Sequence, residues 1–365
     1  MSSGNDLARL CGALLLGGYE DQEPPPAFLA RLASGQLAGA ILFRRNLPAV
    51  EAGYESARWL IEAAPPDAPP WIAVDQEGGR VRRLLAPVLQ LPSMRTLAAA
   101  GDPELIGRAA RVLGLQLRAL GFNLDFAPVL DVDTNPANPI IGDRSFGRDP
   151  RTVASMGNAF AQGLQQSGVS ACGKHFPGHG DTSLDSHLAL PRVDTSLQRM
   201  RDVELVPFRE AVVAGIDAMM SAHIVCPAIE PGVPATLSAA AIDGLLRSEL
   251  GFDGVVFSDD LEMKAIADRW GMAEAAVAAI RAGCDVVCIC KSEALQQEAH
   301  EGLIKACESD ASFRSRCAQA AERSRRLRRL RPPRPSATIE QAMAWCASAE
   351  SVAVAREVAE RCKPA

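Results

Sequence analysis

The sequence contains no apolar run that approaches the roughly 18 residues needed to span a bilayer. It also lacks a G-x-G-x-x-G motif after an early strand, which counts against a dinucleotide-binding fold. Its net charge of −6 gives no general reason to expect nucleic acid or an anionic membrane as a partner. These absences favour a soluble globular protein, and 365 residues suffice for one large domain or two ordinary ones.

The ten cysteines do not follow the close, regular spacing of a disulfide framework. Most lie in apolar, strand-like runs, as Cys172 and Cys288 do, where a reduced thiol behaves as a small hydrophobe. The apolar run 10–18 resembles part of a signal peptide, but Asp6 precedes it and neither a positive cluster nor a cleavage site accompanies it. We therefore expect a cytoplasmic protein whose first buried strand lies in this run.

Eight short apolar runs bounded by glycine or polar residues recur along the chain, at 11–16, 39–43, 71–74, 123–130, 170–175, 218–223, 254–258 and 285–290. Segments with helical spacing lie between most of them, at 103–120, 152–167, 205–214, 239–250 and 272–282. Near-continuous apolar strands that alternate with amphipathic helices indicate a parallel sheet covered by helices. Eight such units predict an α/β fold of the (β/α)8 TIM-barrel type rather than a doubly wound sheet.

The C-terminal part of the chain is predicted to be helical. A long helical region extends to Arg331 and ends at Pro332-Pro333. Arginines in 323–334 are better interpreted as cations at the negative end of a helix dipole than as a nucleic-acid patch. A final amphipathic helix is expected over 338–362. The predicted division is a barrel domain over 1–331 and a C-terminal helical tail over 332–365.

Charged residues and histidines lie at the ends of five predicted strands: Asp75, Asp131, Lys174 with His175, His223, and Asp259 with Asp260. The C-terminal ends of barrel strands converge on one face, where the active sites of such folds are built. We therefore expect these side chains to form one constellation.

The segment 174–187 is dense in titratable groups and holds three of the five histidines. Proline and glycine at 177, 178 and 180 exclude a regular helix or strand there. The residues alone leave two chemistries open. His175, His179 and His187, with an aspartate, could ligate zinc, as in metal-dependent barrel hydrolases. Alternatively, Asp259 could attack a glycosidic bond while a second group protonates the leaving oxygen.

Several motifs resemble those of glycoside hydrolase family 3, and more closely its bacterial single-domain β-N-acetylglucosaminidase (β-hexosaminidase) branch. They are ILFRRN at 41–46, VDQEGGRV at 74–81, GDRSF at 142–146, GKHFPGHG at 173–180, DSH at 185–187 and FSDDLEM at 257–263. Their joint occurrence favours the glycosidase interpretation over zinc and implies neither a metal nor a cofactor.

The resemblance implies roles for eight residues. Asp259 matches the nucleophile that forms a covalent glycosyl-enzyme with retention, and His187 matches the general acid/base, assisted by Asp185. A neighbouring carboxylate orients a histidine and favours its protonated form. The positions that bind the terminal N-acetylglucosamine are matched by Asp75, Arg83, Arg144, Lys174 and His175. His179, Asp181 and Asp260 are expected to brace the loops, and His223 is either a pocket-floor residue or a satisfied core histidine.

The implied substrate is a non-reducing terminal β-linked N-acetylglucosamine on peptidoglycan fragments that carry 1,6-anhydro-N-acetylmuramic acid, recycled in the cytoplasm. The expected partner is therefore a small saccharide, the muropeptide, bound by a monomer or weak dimer, without nucleic acid or membrane. Phosphorylase activity is an alternative, because a histidine acid avoids the repulsion that a glutamate would exert on phosphate. A sugar-binding protein without catalysis is disfavoured because Asp259, Asp185 and His187 are all present.

Overall fold

The structure, a computed structural model, describes residues 4–182 and 190–362. Eight strands pair in chain order, all in parallel, and close into a barrel. They are β1 Leu15–Gly17, β2 Gly39–Leu42, β3 Trp71–Val74, β4 Leu124–Asp125, β5 Ser170–Phe176, β6 Ala218–Ser221, β7 Val255–Asp260 and β8 Val286–Ile289. The predicted TIM-type (β/α)8 fold is confirmed.

Helices surround the barrel and continue beyond its last strand. They are α1 Gly4–Gly12, α2 Pro26–Ala33, α3 Val50–Ala63, α4 Met94–Ala98, α5 Pro103–Ala119, α6 Pro150–Ser167, α7 Leu197–Asp202, α8 Val206–Val213, α9 Lys264–Ala267, α10 Met272–Ala282, α11 Glu293–Ser309, α12 Ala311–Leu330, α13 Ile339–Cys346 and α14 Ala349–Arg361. A π-helix spans Ala240–Glu249, short 3-10 turns span Gly142–Arg144 and Ala235–Leu237, and an antiparallel hairpin pairs Gln76–Gly78 with Val81–Arg82. None of the helices in the described ranges is long and apolar enough to cross a bilayer.

Three predicted elements differ from the structure. The run 11–16 begins inside α1, so the first strand starts only at Leu15. The run 123–130 contributes only the two residues of β4. The backbone N–H of Ser170 donates to Asn123 and that of Cys172 donates to Ala127, so a step of four residues faces a step of two and a bulge interrupts the regular ladder. The single tail helix predicted over 338–362 is wrong: the side chain of Ser348 accepts from the backbone N–H of Ser351 and starts a new helix, α14.

The inside of the barrel is filled by side chains from alternate strand positions. The ring of Phe257 on β7 packs edge-on against Trp71 and Phe126, with ring centroids 5.7 and 5.3 Å apart. All three side chains are fully buried. The barrel is therefore a packed core rather than a pore, and it gives the residues at its C-terminal face a rigid base.

Arginines of α12 pair with carboxylates of the barrel. Arg316 and Arg323 lie 3.0 and 2.9 Å from the carboxylate of Asp285, which is fully buried. The tail helices α13 and α14 pack against α5, where the amide of Gln116 donates to the hydroxyl of Ser351. The ten cysteines are free thiols and all are buried, as expected of small hydrophobic side chains.

Candidate active site

A cavity of about 220 Å³ opens at the C-terminal face of the barrel. Six of the eight predicted site residues line it: Asp75, Arg83, Arg144, Lys174, His175 and Asp259. The other two, Asp185 and His187, lie outside the described residues. The cavity is smaller than the roughly 300–1,000 Å³ of sites for drug-sized ligands, and this size favours a small ligand group. Within residues 4–182 and 190–362, no group of three or more histidine, cysteine and acidic side chains is arranged to hold a metal ion.

A buried cluster of alternating charges forms one wall of the cavity. The Nζ of Lys174 donates to Asp75 Oδ1 at 2.8 Å and lies 2.6 Å from Glu77 Oε1. Arg144 donates to both carboxylate oxygens of Glu77, at 2.7 and 2.9 Å. Lys174 and Glu77 are almost completely buried. Charges this deep are tolerated only when they are paired and hydrogen-bonded, as they are here.

The cluster stays ionised at neutral pH. Burial raises the pKa of Glu77, but Arg144 and Lys174 outweigh this effect and hold that pKa well below its usual range. Burial lowers the pKa of Lys174, but Asp75 and Glu77 outweigh this effect and raise it overall. The site therefore presents permanently charged donors and acceptors, the groups that sugar hydroxyls require.

Asp131, at the end of the fourth predicted strand, orients His175. Its Oδ2 lies 2.7 Å from Nδ1 of His175, and since a carboxylate only accepts, Nδ1 carries the proton. Asp131 also accepts from the backbone N–H groups of His175 and His179. Burial raises the pKa of Asp131, but the interactions with His175 lower it below the usual value. The second ring nitrogen of His175, Nε2, lies 3.5 Å from Arg144 at the cavity.

Asp259 is held at the end of β7, directly after the buried residues of that strand. The backbone N–H of Asp260 donates to its Oδ1 at 2.8 Å. Burial raises the pKa of Asp259, but the charges of His223 and His175 help to bring it below the usual value. The carboxylate is therefore ionised at neutral pH and lies at the wall of the cavity.

The expected bracing residues have local partners. Nδ1 of His179 lies 2.9 Å from the hydroxyl of Thr182, and burial lowers the pKa of His179 to about 4. Asp260 accepts from the backbone N–H groups of Glu262 and Cys290, and burial raises its pKa to about 7. These contacts tie loop backbone to strand ends.

His223 belongs to the core beneath the site. It is fully buried, and its ring nitrogens contact the hydroxyl of Thr236 at 2.8 Å and the carbonyl of Asp260 at 2.9 Å. Of the two roles left open for it, the structure supports the satisfied core histidine.

Sequence reasoning missed Glu77 and Phe43. Glu77 follows Asp75 by two residues inside the VDQEGGRV motif, and that position was the available signal. Phe43 lines the cavity, and the guanidinium groups of Arg45 and Arg83 lie 4.6 and 5.5 Å from its ring centroid. Arg45 stands two residues after Phe43 in the ILFRRN motif, but the local sequence does not show the contact with Arg83, which lies 40 residues further along the chain.

We expect Glu77→Gln to lower kcat/KM by roughly 10–100-fold, because the amide removes the charge that holds Lys174 and Arg144 together. Steady-state kinetics on an aryl N-acetylglucosaminide measures this, with the melting temperature as a folding check. The control is Glu62→Gln, which removes an exposed carboxylate paired with Arg58. Unchanged kcat/KM in Glu77→Gln would show that the cluster does not organise the site.

Because Asp125 on β4 is buried, we expect the free energy of unfolding to depend on pH. Burial raises its pKa to about 8, whereas an unfolded aspartate has a pKa of about 3.9. Between these values the folded chain binds more protons than the unfolded chain, so this group lowers the free energy of unfolding as the pH rises. Asp125→Asn removes that contribution.

Relative to the wild type, Asp125→Asn should gain at least about 1.4 kcal/mol of unfolding free energy between pH 5 and pH 8.5, the equivalent of one pKa unit. Urea denaturation at several pH values measures the gain. Asp268→Asn, on the surface, is the control, and its free energy of unfolding should change with pH as that of the wild type does. Parallel curves for Asp125→Asn as well would contradict the prediction.

Comparison with known proteins identifies the class to which this barrel and its charged cavity belong, the glycoside hydrolases. Residues 25–327 match the family model for the glycosyl hydrolase family 3 N terminal domain. The chain belongs to glycoside hydrolase family 3, and its activity is of the β-hexosaminidase type.

Individual relatives agree with this assignment. A β-hexosaminidase of Idiomarina loihiensis is 38% identical over 287 residues, which are 78% of this chain and 85% of that protein. A family 3 β-N-acetylglucosaminidase from Paenibacillus superposes with a TM-score of 0.88 at 38% identity, over 98% of this chain and 68% of the other. NagZ from Neisseria gonorrhoeae, solved with N-trifluoroacetyl-D-glucosamine, superposes with a TM-score of 0.80 at 33% identity, over 96% of this chain and 98% of the other.

Proposed function

We propose that this chain is a retaining, exo-acting β-N-acetylglucosaminidase with Asp259 as the nucleophile. The observation that carries the proposal is an ionised carboxylate on a rigid strand end, beside a small cavity with a wall of paired charges. The similar Neisseria protein was solved with an N-acylated glucosamine, which supports the same type of sugar as the ligand of this cavity.

In this proposal the terminal sugar is bound by five residues: Asp75, Arg83, Arg144, Lys174 and His175. Lysine and arginine donate to hydroxyl oxygens, and Asp75 accepts from hydroxyl groups. Asp75 is placed for this by Lys174, at 2.8 Å, and by Arg83, at 3.4 Å. The limited volume of the cavity supports recognition of one terminal ring, and therefore exo cleavage.

The proposed chemistry takes two steps. A carboxylate oxygen of Asp259 bonds to the anomeric carbon while the glycosidic C–O bond breaks, and the leaving oxygen takes a proton from His187. His187 then removes a proton from water, whose oxygen bonds to the anomeric carbon and releases Asp259. Asp185 orients His187 and favours its protonated form in the first step. The DSH motif supports these two assignments.

The proposed substrate is N-acetylglucosaminyl-1,6-anhydro-N-acetylmuramic acid, with or without its peptide, released during peptidoglycan recycling. We place this reaction in the cytoplasm, and ten free, buried thiols support a reducing compartment. The proposed division keeps residues 1–331 as the catalytic barrel and 332–365 as a tail. The packing of α13 and α14 on α5, away from the strands, supports this division. We propose a monomer or weak dimer.

Product analysis tests the proposed function. The purified chain is incubated with the anhydro-disaccharide in phosphate buffer and in phosphate-free buffer, and the products are followed by mass spectrometry and NMR. We expect free N-acetylglucosamine in both buffers, with the β-anomer appearing first. An α-anomer formed first would overturn retention, and an N-acetylglucosamine 1-phosphate product would establish a phosphorylase. Aryl glycosides of N-acetylglucosamine, glucose and xylose, assayed side by side, measure the preference for the sugar.

A further inference from the structure

A second cavity, of about 310 Å³, lies at the opposite end of the barrel, near the N-terminal ends of β2 and β3. Its lining contains four arginines, namely Arg9, Arg325, Arg328 and Arg329. Three carboxylates also line it: Asp6, Asp67 and Glu322. Neither the catalytic chemistry nor the sugar-binding residues use this cavity.

Arg328, near the end of α12, is 2% exposed. Its Nη1 donates to the carbonyl oxygens of Pro69 and Ala38, at 2.8 and 3.4 Å. Its Nε is buried without a hydrogen-bond partner, and no carboxylate of residues 4–182 or 190–362 lies within ion-pair distance. A buried guanidinium without a counter-anion is unfavourable, since two carbonyl dipoles do not neutralise its charge.

The neighbouring arginines add to this excess of positive charge. Arg325 is half-buried and forms neither a hydrogen bond nor an ion pair within the described part of the chain. Among the described residues, Arg329 donates only to the backbone carbonyl of Asp67, at 3.4 Å. Burial first, and then the charges of Arg325 and Arg329, lower the pKa of Arg328 to about 9.

The carboxylates do not cancel this charge. Asp67 pairs with Arg9 at 3.5 Å, and both side chains are well exposed, so solvent screens the pair. Glu322 is exposed and lies beyond ion-pair distance of Arg325, one helical turn along α12. Asp6 is exposed and has an interaction of its own. The negative groups therefore belong to the exposed rim, while the unneutralised cation, Arg328, is buried.

We propose that this cavity is a binding site for a phosphate-class oxyanion, with Arg325, Arg328 and Arg329 as its donors. The planar fork of a guanidinium matches the oxygens of phosphate, and such charge-assisted hydrogen bonds are among the strongest. The volume admits phosphate alone or a phosphate monoester with a small organic group. Because the site lies across the barrel from Asp259, its occupant acts on stability and not on the reacting bond. The proposal does not depend on the proposed catalytic function.

Phosphate binding to the full chain tests this site. Phosphate is titrated at constant ionic strength, with N-acetylglucosamine saturating the catalytic cavity, and the melting temperature and calorimetric Kd are measured. At a phosphate concentration of ten times Kd, we expect the melting temperature to rise by about 2 °C. Glucose 6-phosphate in a parallel titration, with glucose as its blank, distinguishes a monoester ligand from free phosphate by the tighter Kd.

Arg325→Gln removes one donor and no hydrogen bond to residues 4–182 or 190–362, so it should fold normally and weaken phosphate binding at least tenfold. Arg328→Lys keeps the charge but loses the fork, and should also weaken binding. The matched control is Arg326→Gln on the same helix, which breaks a pair with Asp253 outside the cavity and should leave Kd unchanged. An equal rise in melting temperature with chloride, or an unchanged Kd in Arg325→Gln, would overturn the site.

Discussion

Asp259→Ala is expected to lower kcat on an activated aryl N-acetylglucosaminide by at least roughly 10⁴-fold, the order seen when a catalytic nucleophile is removed. A good leaving group does not help this variant, because the missing bond is the one between enzyme and anomeric carbon. The wild-type carboxylate is ionised and fixed by the backbone N–H of Asp260, so little else in the site can replace it. Steady-state kinetics with an aryl substrate measures the loss.

Adding azide to Asp259→Ala gives a second test of the nucleophile. The alanine leaves space beside the anomeric carbon, and a small anion entering there should restore turnover and produce an α-glycosyl azide. The matched control is Asp260→Asn, whose amide oxygen still accepts from Glu262 and Cys290 and which should retain most activity. A larger loss of kcat in Asp260→Asn than in Asp259→Ala would contradict the assignment and identify Asp260 as the nucleophile.

The second large effect is expected for His187→Ala, and its size should depend on the leaving group. On the natural disaccharide, whose sugar leaving group needs a proton, kcat/KM should fall by roughly 10²–10⁴-fold. On a nitrophenyl glycoside the first step should change little, because that leaving group departs without protonation. Kinetics on a series of aryl glycosides with different leaving-group pKa values measures the dependence.

A histidine from the same segment provides the comparison. His179 is buried and its pKa is lowered to about 4, so it is neutral at the working pH and unsuited to donate a proton. His179→Asn should therefore affect activated and natural substrates to the same degree. If His187→Ala also showed equal losses on both substrates, the acid role would have to be given to another group.

The spacing of apolar residues along the sequence was enough to predict the barrel. The apolar run 71–74 coincides with β3 and the helically spaced segment 272–282 with α10, because strand and helix periodicity depends on neighbours in sequence. The convergence of Asp75, Lys174 and Asp259 on one cavity also followed from the sequence, since parallel strands of a barrel end on one face. Predictions failed where a local cap intervened, as at Ser348 between the two tail helices.

The sequence by itself determined the fold class, the family resemblance and the set of polar residues at the strand ends. Only the tertiary structure decided how those residues are paired. Glu77 pairs with Arg144, 67 residues further along the chain, and with Lys174, 97 residues further along. Asp131, in the segment after β4, sets the ring of His175 on β5. The uncompensated charge of Arg328 was equally invisible, because neither burial nor the lack of a nearby carboxylate among the described residues is a property of the residue itself. Ionisation depends on such through-space contacts, since opposite charges and burial act over a few ångströms whatever their separation along the chain.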